Sequence, residues 1–194
     1  MAPIPTPPLP LSQVGRAAHD VGLAGLLGGN LFGRLALHPS VTEITDPGER
    51  GKLVNAAWKR YGTINSLSLL AVVGGWDGAR LDEASAVRLS PEERRLAVAK
   101  DVLVGVVAAT GVATGVEGMR FARSAPGGAV PLTDGDHAAP EAGGDAQRLK
   151  RRLNLLGAVS LGAEVALVAV NAALNQRSFR RPPARRLIPR FGRV

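Results

Sequence analysis

Glu164 has the most unusual chemical setting in this sequence, because it is the one charged residue in the apolar run Leu153–Leu174. An ionised carboxylate within a bilayer costs at least about 2–3 kcal/mol unless it is paired or protonated. We therefore expect Glu164 to face the interior of a helical bundle. Asn30 and Asn65 fall near the same depth and are its expected hydrogen-bond partners, and Arg34 can extend toward it from a helix end. The resulting polar node is either structural or a site for a proton, a cation or a polar ligand.

Two short pairs, His19-Asp20 and Lys100-Asp101, form a second candidate site. Each pair opens a predicted helix, and we expect both to lie at one depth, joined in an ion-pair network between the two helices. Acidic residues near helix N-termini are stabilised by the helix dipole, which favours a structural role. The chemical alternative makes His19 a proton acceptor.

Most other chemistry has no signal in the sequence. The chain has no cysteine, which excludes disulfides, thiolate catalysis and Cys-based metal sites. His19 and His38 lie at opposite ends of one predicted helix and His137 lies in a predicted loop, so the three do not form a metal site. Zinc-protease, phosphate-loop and nucleophile-elbow motifs do not occur. We predict no catalytic residue, no metal site and no bound cofactor.

Four apolar segments must position the candidate residues, and each is close to the length that spans a bilayer. They cover about residues 14–37, 53–76, 92–121 and 149–176. Pro39 disfavours helix at His38 and predicts the end of the first segment. Ser90, followed by Pro91 and two acids, predicts the N-cap of the third. Leu153–Leu174 reaches about 33 Å as a helix, against a bilayer core of roughly 30 Å.

These segments predict an all-α fold, a four-helix transmembrane bundle, with a soluble four-helix bundle as the alternative. Leu153–Leu174 favours the membrane because a soluble surface helix would show a polar stripe at a period of 3.6 residues. Aromatic residues make up only 4% of the chain, which is few for a soluble core. Membrane helices associate through small residues and need fewer of them.

Three further segments lie outside the predicted helices. Residues 1–13 form a proline-rich extended tail without the basic region of a cleavable signal peptide. Residues 123–147 are rich in Gly, Ala, Pro and acids, and we expect a flexible loop there. Residues 177–194 carry seven arginines and no acid. Beside an apolar helix, such a tail favours binding to anionic lipid headgroups over nucleic acid.

Small residues four apart predict close helix packing. Gly25, Gly29 and Gly33 follow this spacing in the first segment, and Gly111 and Gly115 repeat it in the third. We expect these glycines to pack helices within one bundle. The alternative is a face that forms a homodimer or docks into a larger membrane complex.

The charges that flank the four segments nearly balance on the two sides of a bilayer. The arginine-rich C-terminal tail favours placing both termini in the cytoplasm under the positive-inside rule. The abundance of Ala, Gly, Arg and Val is typical of a GC-rich bacterial genome. We therefore expect a multi-pass protein of the bacterial inner membrane.

The stretch GGNLFGRLALHPSV, with GERGKLVNAAWKRYGTINSLSLLAVVGG after it, covers about Gly28–Gly75. It resembles small four-helix bacterial membrane proteins of the anthrone-oxygenase-like and copper-resistance-D-like groups. In these groups a glycine-rich first helix ends near a proline, and a basic and aromatic patch leads the second helix. The resemblance implies the architecture only, since two Met and three His are few for a copper-related function.

Together these patterns predict an integral membrane protein that acts as a non-enzymatic accessory or scaffold subunit. One alternative is a small permease or a proton- or cation-coupled transporter that uses Glu164. The other is a membrane enzyme that acts on a lipid or quinone-like substrate at the end marked by His19 and Lys100.

Overall fold

The computed structural model describes residues 11–81 and 84–179, and its main elements are four long helices. They are α1 (Leu11–Phe32), α2 (Pro47–Leu81), α3 (Pro91–Arg123) and α4 (Gly143–Phe179). The only β feature among the described residues is an isolated bridge between Leu132 and Ala138. The all-α prediction is therefore confirmed. Residues 11–13, predicted as part of the proline-rich tail, belong to α1, and residues 177–179, predicted as part of the arginine-rich tail, belong to α4. The rest of the two tails, residues 1–10 and 180–194, lies outside the described residues.

The helices extend well beyond their apolar parts. α2, α3 and α4 contain 35, 33 and 37 residues, which corresponds to about 50–55 Å of helix. The extra turns are rich in Arg, Lys, Glu and Ala, which are good helix formers. The apolar pattern gave shorter bounds than those observed for α2 and α4, whereas the predicted bounds of α3 differ from the observed ones by only one or two residues.

The chain stays helical through Pro39, where the sequence predicted the first helix to end. Past α1 it continues through a π-helical turn (Gly33–Leu37), a helical turn (His38–Ser40) and a 3₁₀ turn (Val41–Glu43). The His38 N–H donates to the Gly33 carbonyl, five residues back. This wider turn accommodates the proline ring, which in a regular α-helix would clash with the carbonyl four residues earlier.

The start of α3 follows the predicted capping pattern. The Glu93 N–H donates to Ser90 Oγ at 3.3 Å, and the Ser90 N–H donates to Glu93 Oε2 at 2.9 Å. Pro91 occupies the first turn, where a missing N–H has no cost. Ser90 therefore fixes where α3 begins after the short connection from α2.

The four helices pack as two pairs. α1 packs most extensively on α2, α3 packs most extensively on α4, and smaller α1–α4 and α2–α3 contacts join the pairs. The core between them is built from aliphatic side chains with Trp76 at one end. Val72 and Leu167 are fully buried in it.

The glycines of α1 lie directly against α2. A Cβ added at Gly25 would lie 2.4 Å from Ser68 Oγ, and one at Gly29 would lie 2.3 Å from the Tyr61 ring. Gly33 has the same relation to Trp58, at 2.5 Å. On α3, a Cβ at Gly111 would meet Leu69 at 3.2 Å, whereas nothing lies within 4 Å of one at Gly115. The α1 glycines thus allow close approach, and Gly115 faces open space.

The connection between α3 and α4 folds back onto α2, although we expected it to be flexible. Val130, Leu132 and Ala139 are buried in it. The Leu132 N–H donates to the Pro47 carbonyl at 3.0 Å, and the Ala139 N–H donates to the Pro131 carbonyl at 2.9 Å. The polar composition concealed Leu132, which packs in a small apolar cluster with Val41 and Val54.

Two helical segments are long and apolar enough to cross a membrane: α3 and Pro140–Arg177, which contains most of α4. Only 28% and 22% of their apolar windows are buried inside the protein. The core helix of a soluble protein would be mostly buried, so these two helices present most of their apolar surface outward. Within the described residues, α1 and α2 do not meet the same criterion.

Candidate functional site

Glu164 lies between α1 and α4 and is completely buried. Asn30 Nδ2 donates to both carboxylate oxygens, at 2.7 Å to Oε1 and 3.0 Å to Oε2. Ser160 Oγ, one turn earlier in α4, donates to Oε1 at 2.9 Å. Glu164, Asn30 and Ser160 form what we call the Glu164 node. Both oxygens accept hydrogen bonds, so the carboxylate is satisfied without an ionic partner.

The structure does not bring Asn65 or Arg34 to Glu164. Asn65 is half-buried on α2 and makes no hydrogen bond to Glu164, because α2 packs chiefly on α1 while α4 packs chiefly on α3. Arg34 lies further toward the helix end, where its guanidinium donates to the Asn154 carbonyl at 2.8 Å. A Cβ on Gly157 would lie 2.9 Å from the same guanidinium, so Arg34 also packs on the α4 backbone.

His19, Asp20, Lys100 and Asp101, here the His19 cluster, lie at the opposite end of the bundle. Asp20 and Lys100 do not pair directly. Lys100 Nζ donates to Asn171 Oδ1 at 2.6 Å, and Asn171 Nδ2 donates to Asp20 Oδ1 at 2.7 Å. Asn171 of α4 therefore bridges the two predicted pairs, and the sequence prediction did not include it.

Trp76 organises the rest of the His19 cluster. Its indole N–H donates to Asp101 Oδ1 at 2.8 Å, and Arg80 donates to Asp101 Oδ2 at 3.1 Å. Lys100 Nζ lies 4.2 Å from the centre of the Trp76 ring, within cation–π distance. Asp101 is thus paired across α2 and α3 rather than with His19.

His19 contributes one unused nitrogen to this cluster. The side chain is 2% exposed, and its Nδ1 lies 2.8 Å from the Val72 carbonyl oxygen. A carbonyl only accepts, so Nδ1 carries the proton and Nε2 has a free lone pair. Nε2 is buried and has no hydrogen-bond partner among the described residues.

A third polar group, which the sequence did not predict, lies where the α3–α4 connection meets α1. His38 Nδ1 donates to Asp136 Oδ1 at 2.9 Å, and Trp58 Nε1 donates to His38 Nε2 at 3.3 Å. Asn154 Nδ2 donates to the Asp136 carbonyl at 2.6 Å. We call His38, Trp58, Asp136, Asn154 and the buried Lys150 the His38 cluster. Its members tie the connection to three of the four helices or their extensions.

The surroundings of His38 favour the neutral form of its imidazole ring. Burial lowers the pKa of His38 below its usual 6.5, and Lys150 lowers it further, against the opposing effect of Asp136. Lys150 is buried beside this ring, and Asp136 and Asp134 act on it as nearby negative charges. Both nitrogens of neutral His38 are engaged, so the ring is held in one tautomer.

A local turn signal could have indicated this cluster. Asp134 Oδ1 accepts from the N–H groups of Asp136 and His137, at 2.7 and 2.8 Å. An Asp followed by Gly135 is a typical sequence for such a side-chain-stabilised turn. A Cβ on Gly135 would lie 2.2 Å from the His38 Cα, so this turn lies directly against the end of the first helix.

The arrangement offers hydrogen bonding and packing rather than metal chemistry. Within residues 11–81 and 84–179, no group of three His, Asp, Glu or Cys side chains is placed to hold a metal ion. Comparisons with protein-family models, curated proteins and solved structures find no match to this chain. The functional interpretation therefore depends on the geometry of the three polar groups and on the apolar surface.

Proposed function

We propose that this chain is a four-span integral protein of the bacterial inner membrane that acts as a non-enzymatic scaffold or accessory subunit. The observation that carries the proposal is the Glu164 node. A carboxylate that accepts from Asn30 and Ser160 and is fully buried serves as a link between α1 and α4.

The exposed apolar side chains support four spans rather than two. α3 and α4 expose a series of Val and Leu residues along their outer faces. α1 and its extension do the same with Val21, Phe32 and Leu35, and α2 with Leu67 and Leu70, which are 62% and 69% exposed. Exposed apolar residues on all four helices are typical of a surface covered by lipid.

Two measurements test the proposal. Alkaline carbonate extraction should leave the full-length chain in the membrane pellet. Purification in a mild detergent after in-cell crosslinking should give a stoichiometric membrane partner or a defined homo-oligomer. A chain released by carbonate contradicts the membrane assignment. A chain that is retained but monomeric and without a partner contradicts the scaffold role.

His19 supports a second candidate, a membrane enzyme that acts on a lipid or quinone-like substrate. Its buried Nε2 has a free lone pair that can accept a proton. The Trp76 ring, which Lys100 contacts, lies 6.4 Å from the His19 ring, centre to centre. Turnover of a lipid extract that is lost in His19→Ala, and kept in His137→Ala, would support this candidate. Equal turnover by both variants would exclude it.

A further inference from the structure

The outer surfaces of α3 and α4 join into one apolar face. Between them lies a groove of about 440 Å³, whose apolar lining comes from Ala113 and Val116 of α3 and from Leu155 and Leu156 of α4. Most of the apolar window of each helix lies outside the protein interior. We call the groove and the exposed apolar side chains of the two helices the α3–α4 face, and no described residue packs over it.

The side chains of the α3–α4 face differ from those exposed on the other helix pair. Of the large apolar side chains exposed on α3 and α4, all but Met119 and Leu155 are valines. Those exposed on α1 and α2 are mostly Leu, Ile or Phe, as at Phe32, Ile64 and Leu67. A helical valine holds one χ1 rotamer, so it loses little conformational entropy when another helix packs on it. The α3–α4 face is therefore the better suited of the two to helix packing.

Arginines continue the α3–α4 face toward the connection between the two helices. Arg151 and Arg152 precede the groove residues Leu155 and Leu156 by four positions. Residues four apart in a helix are neighbours on one side of it. Both arginines are exposed, so each extends the groove wall by one turn with a positive charge.

The charge at this end of the face is not balanced within the described chain. Arg120 is paired with Glu117 at 3.1 Å. Arg123, Arg151 and Arg152 are exposed and make no ion pair with a described residue. A second copy in the same orientation would bring these arginines against their own equivalents. Charge complementarity therefore favours a partner that is acidic at this end.

We propose that the α3–α4 face binds one transmembrane helix of a partner protein. The apolar span of that helix packs along the groove and the valines, and Asp or Glu residues at its end pair with Arg151 and Arg152. This inference rests on the proposed membrane scaffold, and it names the class of partner that the scaffold holds.

Anionic lipid is the competing occupant, because its headgroups also pair with arginine. Lipid chains adapt to any apolar surface and place no requirement on the side chains of the groove. Rigid valines on both walls instead match the close packing that holds membrane helices together. The experiment separates the two occupants.

The probes are three synthetic peptides that share one apolar helix of about 20 residues, long enough to span a bilayer. They end in a pair of Glu, Gln or Lys residues and carry a fluorescent acceptor. The full-length chain carries a donor at Thr133→Cys, an exposed position at the end of the bundle where the arginines lie. Energy transfer in phosphatidylcholine vesicles gives the affinities. We expect the Glu peptide to bind about tenfold more tightly than the Lys peptide, with the Gln peptide between them.

Variants identify the surface that binds the peptides. Arg151→Gln combined with Arg152→Gln should reduce the difference between the Glu and Lys peptides to about twofold. Arg60→Gln is the matched control, since Arg60 is an exposed arginine on α2, and it should leave the difference unchanged. Ala113→Leu fills the groove and should weaken all three peptides, whereas Leu70→Ala on α2 should weaken none. Val112→Ala replaces Ala113→Leu if circular dichroism shows that the latter has lost its helices.

Three results would overturn the proposal. The first is equal affinity for the Glu and Lys peptides. The second is loss of the preference when phosphatidylglycerol replaces part of the phosphatidylcholine, which would assign the arginines to anionic lipid. The third is energy transfer between donor- and acceptor-labelled copies of the chain that Ala113→Leu abolishes, which would assign the face to a second copy.

Failure of this inference is distinguishable from failure of the proposed function. A chain that carbonate leaves in the membrane and that crosslinks to a stoichiometric partner, but binds the Glu and Lys peptides equally, contradicts the α3–α4 site alone. A chain that carbonate releases contradicts both.

Discussion

Glu164 shows how a buried acid can be accommodated by neutral groups. Three hydrogen bonds from Asn30 and Ser160 satisfy its oxygens, and no ion pair to it occurs within the described residues. Hydrogen bonds to a charged acceptor contribute about 1.5–3 kcal/mol each. Because the donors come from α1 and α4, the node contributes to the contact between the two helix pairs.

A double-mutant cycle tests this link. Glu164→Ala leaves Asn30 and Ser160 without their acceptor, and we expect it to lower the free energy of unfolding in detergent by about 1–3 kcal/mol. Asn30→Ala should have a comparable effect, and the double variant should lose less than the sum of the two. Thermal melts in one detergent supply the measurement.

Asn65 provides the matched control for the cycle, because it is also an amide on a neighbouring helix but does not contact Glu164. The effects of Asn65→Ala and Glu164→Ala should add. If the effects of Asn30→Ala and Glu164→Ala also add, the proposed link between α1 and α4 through Glu164 is contradicted.

His38 should make stability depend on pH. Protonation would place an N–H at Nε2 against the Trp58 N–H donor, beside the positive charges of Lys150 and Arg34. Since the pKa of His38 is lowered in the folded chain, the unfolded chain takes up the proton first as pH falls. Stability is therefore complete above about 6.5 and declines as pH falls below that value.

Melting temperatures between pH 8 and pH 5 check this expectation. His38→Gln should reduce the loss of stability at low pH. An identical pH dependence in the wild type and His38→Gln would show that His38 does not titrate in this range.

The sequence correctly predicted the contact between Asn30 and Glu164, because their shared level along the helices was enough to predict it. Asn30 and Glu164 share a level and lie on helices that touch. Asn65 shares that level but does not contact Glu164, because α2 packs chiefly on α1 and Asn65 lies on another side of the helix axis. Depth can be counted along a sequence, while rotation and pairing depend on how the other helices pack.

The glycines of α1 and α3 also show that a sequence pattern does not predict which helices pack together. Both carry glycines four apart, and the spacing alone does not distinguish them. Gly29 lies against the Tyr61 ring, while Gly115 faces open space. The spacing predicts a groove on a helix, and only the packing shows whether another helix occupies it.

Matched alanine substitutions test this difference. Gly29→Ala forces Tyr61 to move and should destabilise the fold by about 1–3 kcal/mol, as overpacking does. Gly115→Ala should be neutral or stabilising by up to about 1 kcal/mol, because alanine is the better helix former. The reverse order of melting temperatures would contradict the close packing of α1 on α2 at Gly29.

The α3–α4 connection was harder to predict than the helices. Its Gly, Pro and acidic residues indicate a polar loop, and this composition outweighed the apolar Val130 and Leu132. Those two residues are buried only because α2 and the end of the first helix provide a surface for them. Such docking depends on contacts between distant parts of the chain, which composition does not describe.

For the molecule as a whole, apolar side chains are exposed on all four helices and polar groups lie at both ends of the bundle. The His38 cluster and the α3–α4 connection lie at one end, and the His19 cluster lies at the other. The length and hydropathy of α3 and α4 are evident from the sequence. Assigning α1 and α2 to the membrane depends on their exposed side chains, which only the packing reveals.

Cysteine accessibility tests the four-span arrangement most directly, because the chain has no cysteine of its own. Thr45→Cys and Thr133→Cys mark one end of the bundle, and Ala86→Cys marks the other, all at exposed positions. With both termini in the cytoplasm, a membrane-impermeant maleimide should label the first two in intact spheroplasts and Ala86→Cys only after lysis. Labelling of all three positions alike before lysis, or recovery of the labelled chains in the soluble fraction, would contradict the four-span scaffold.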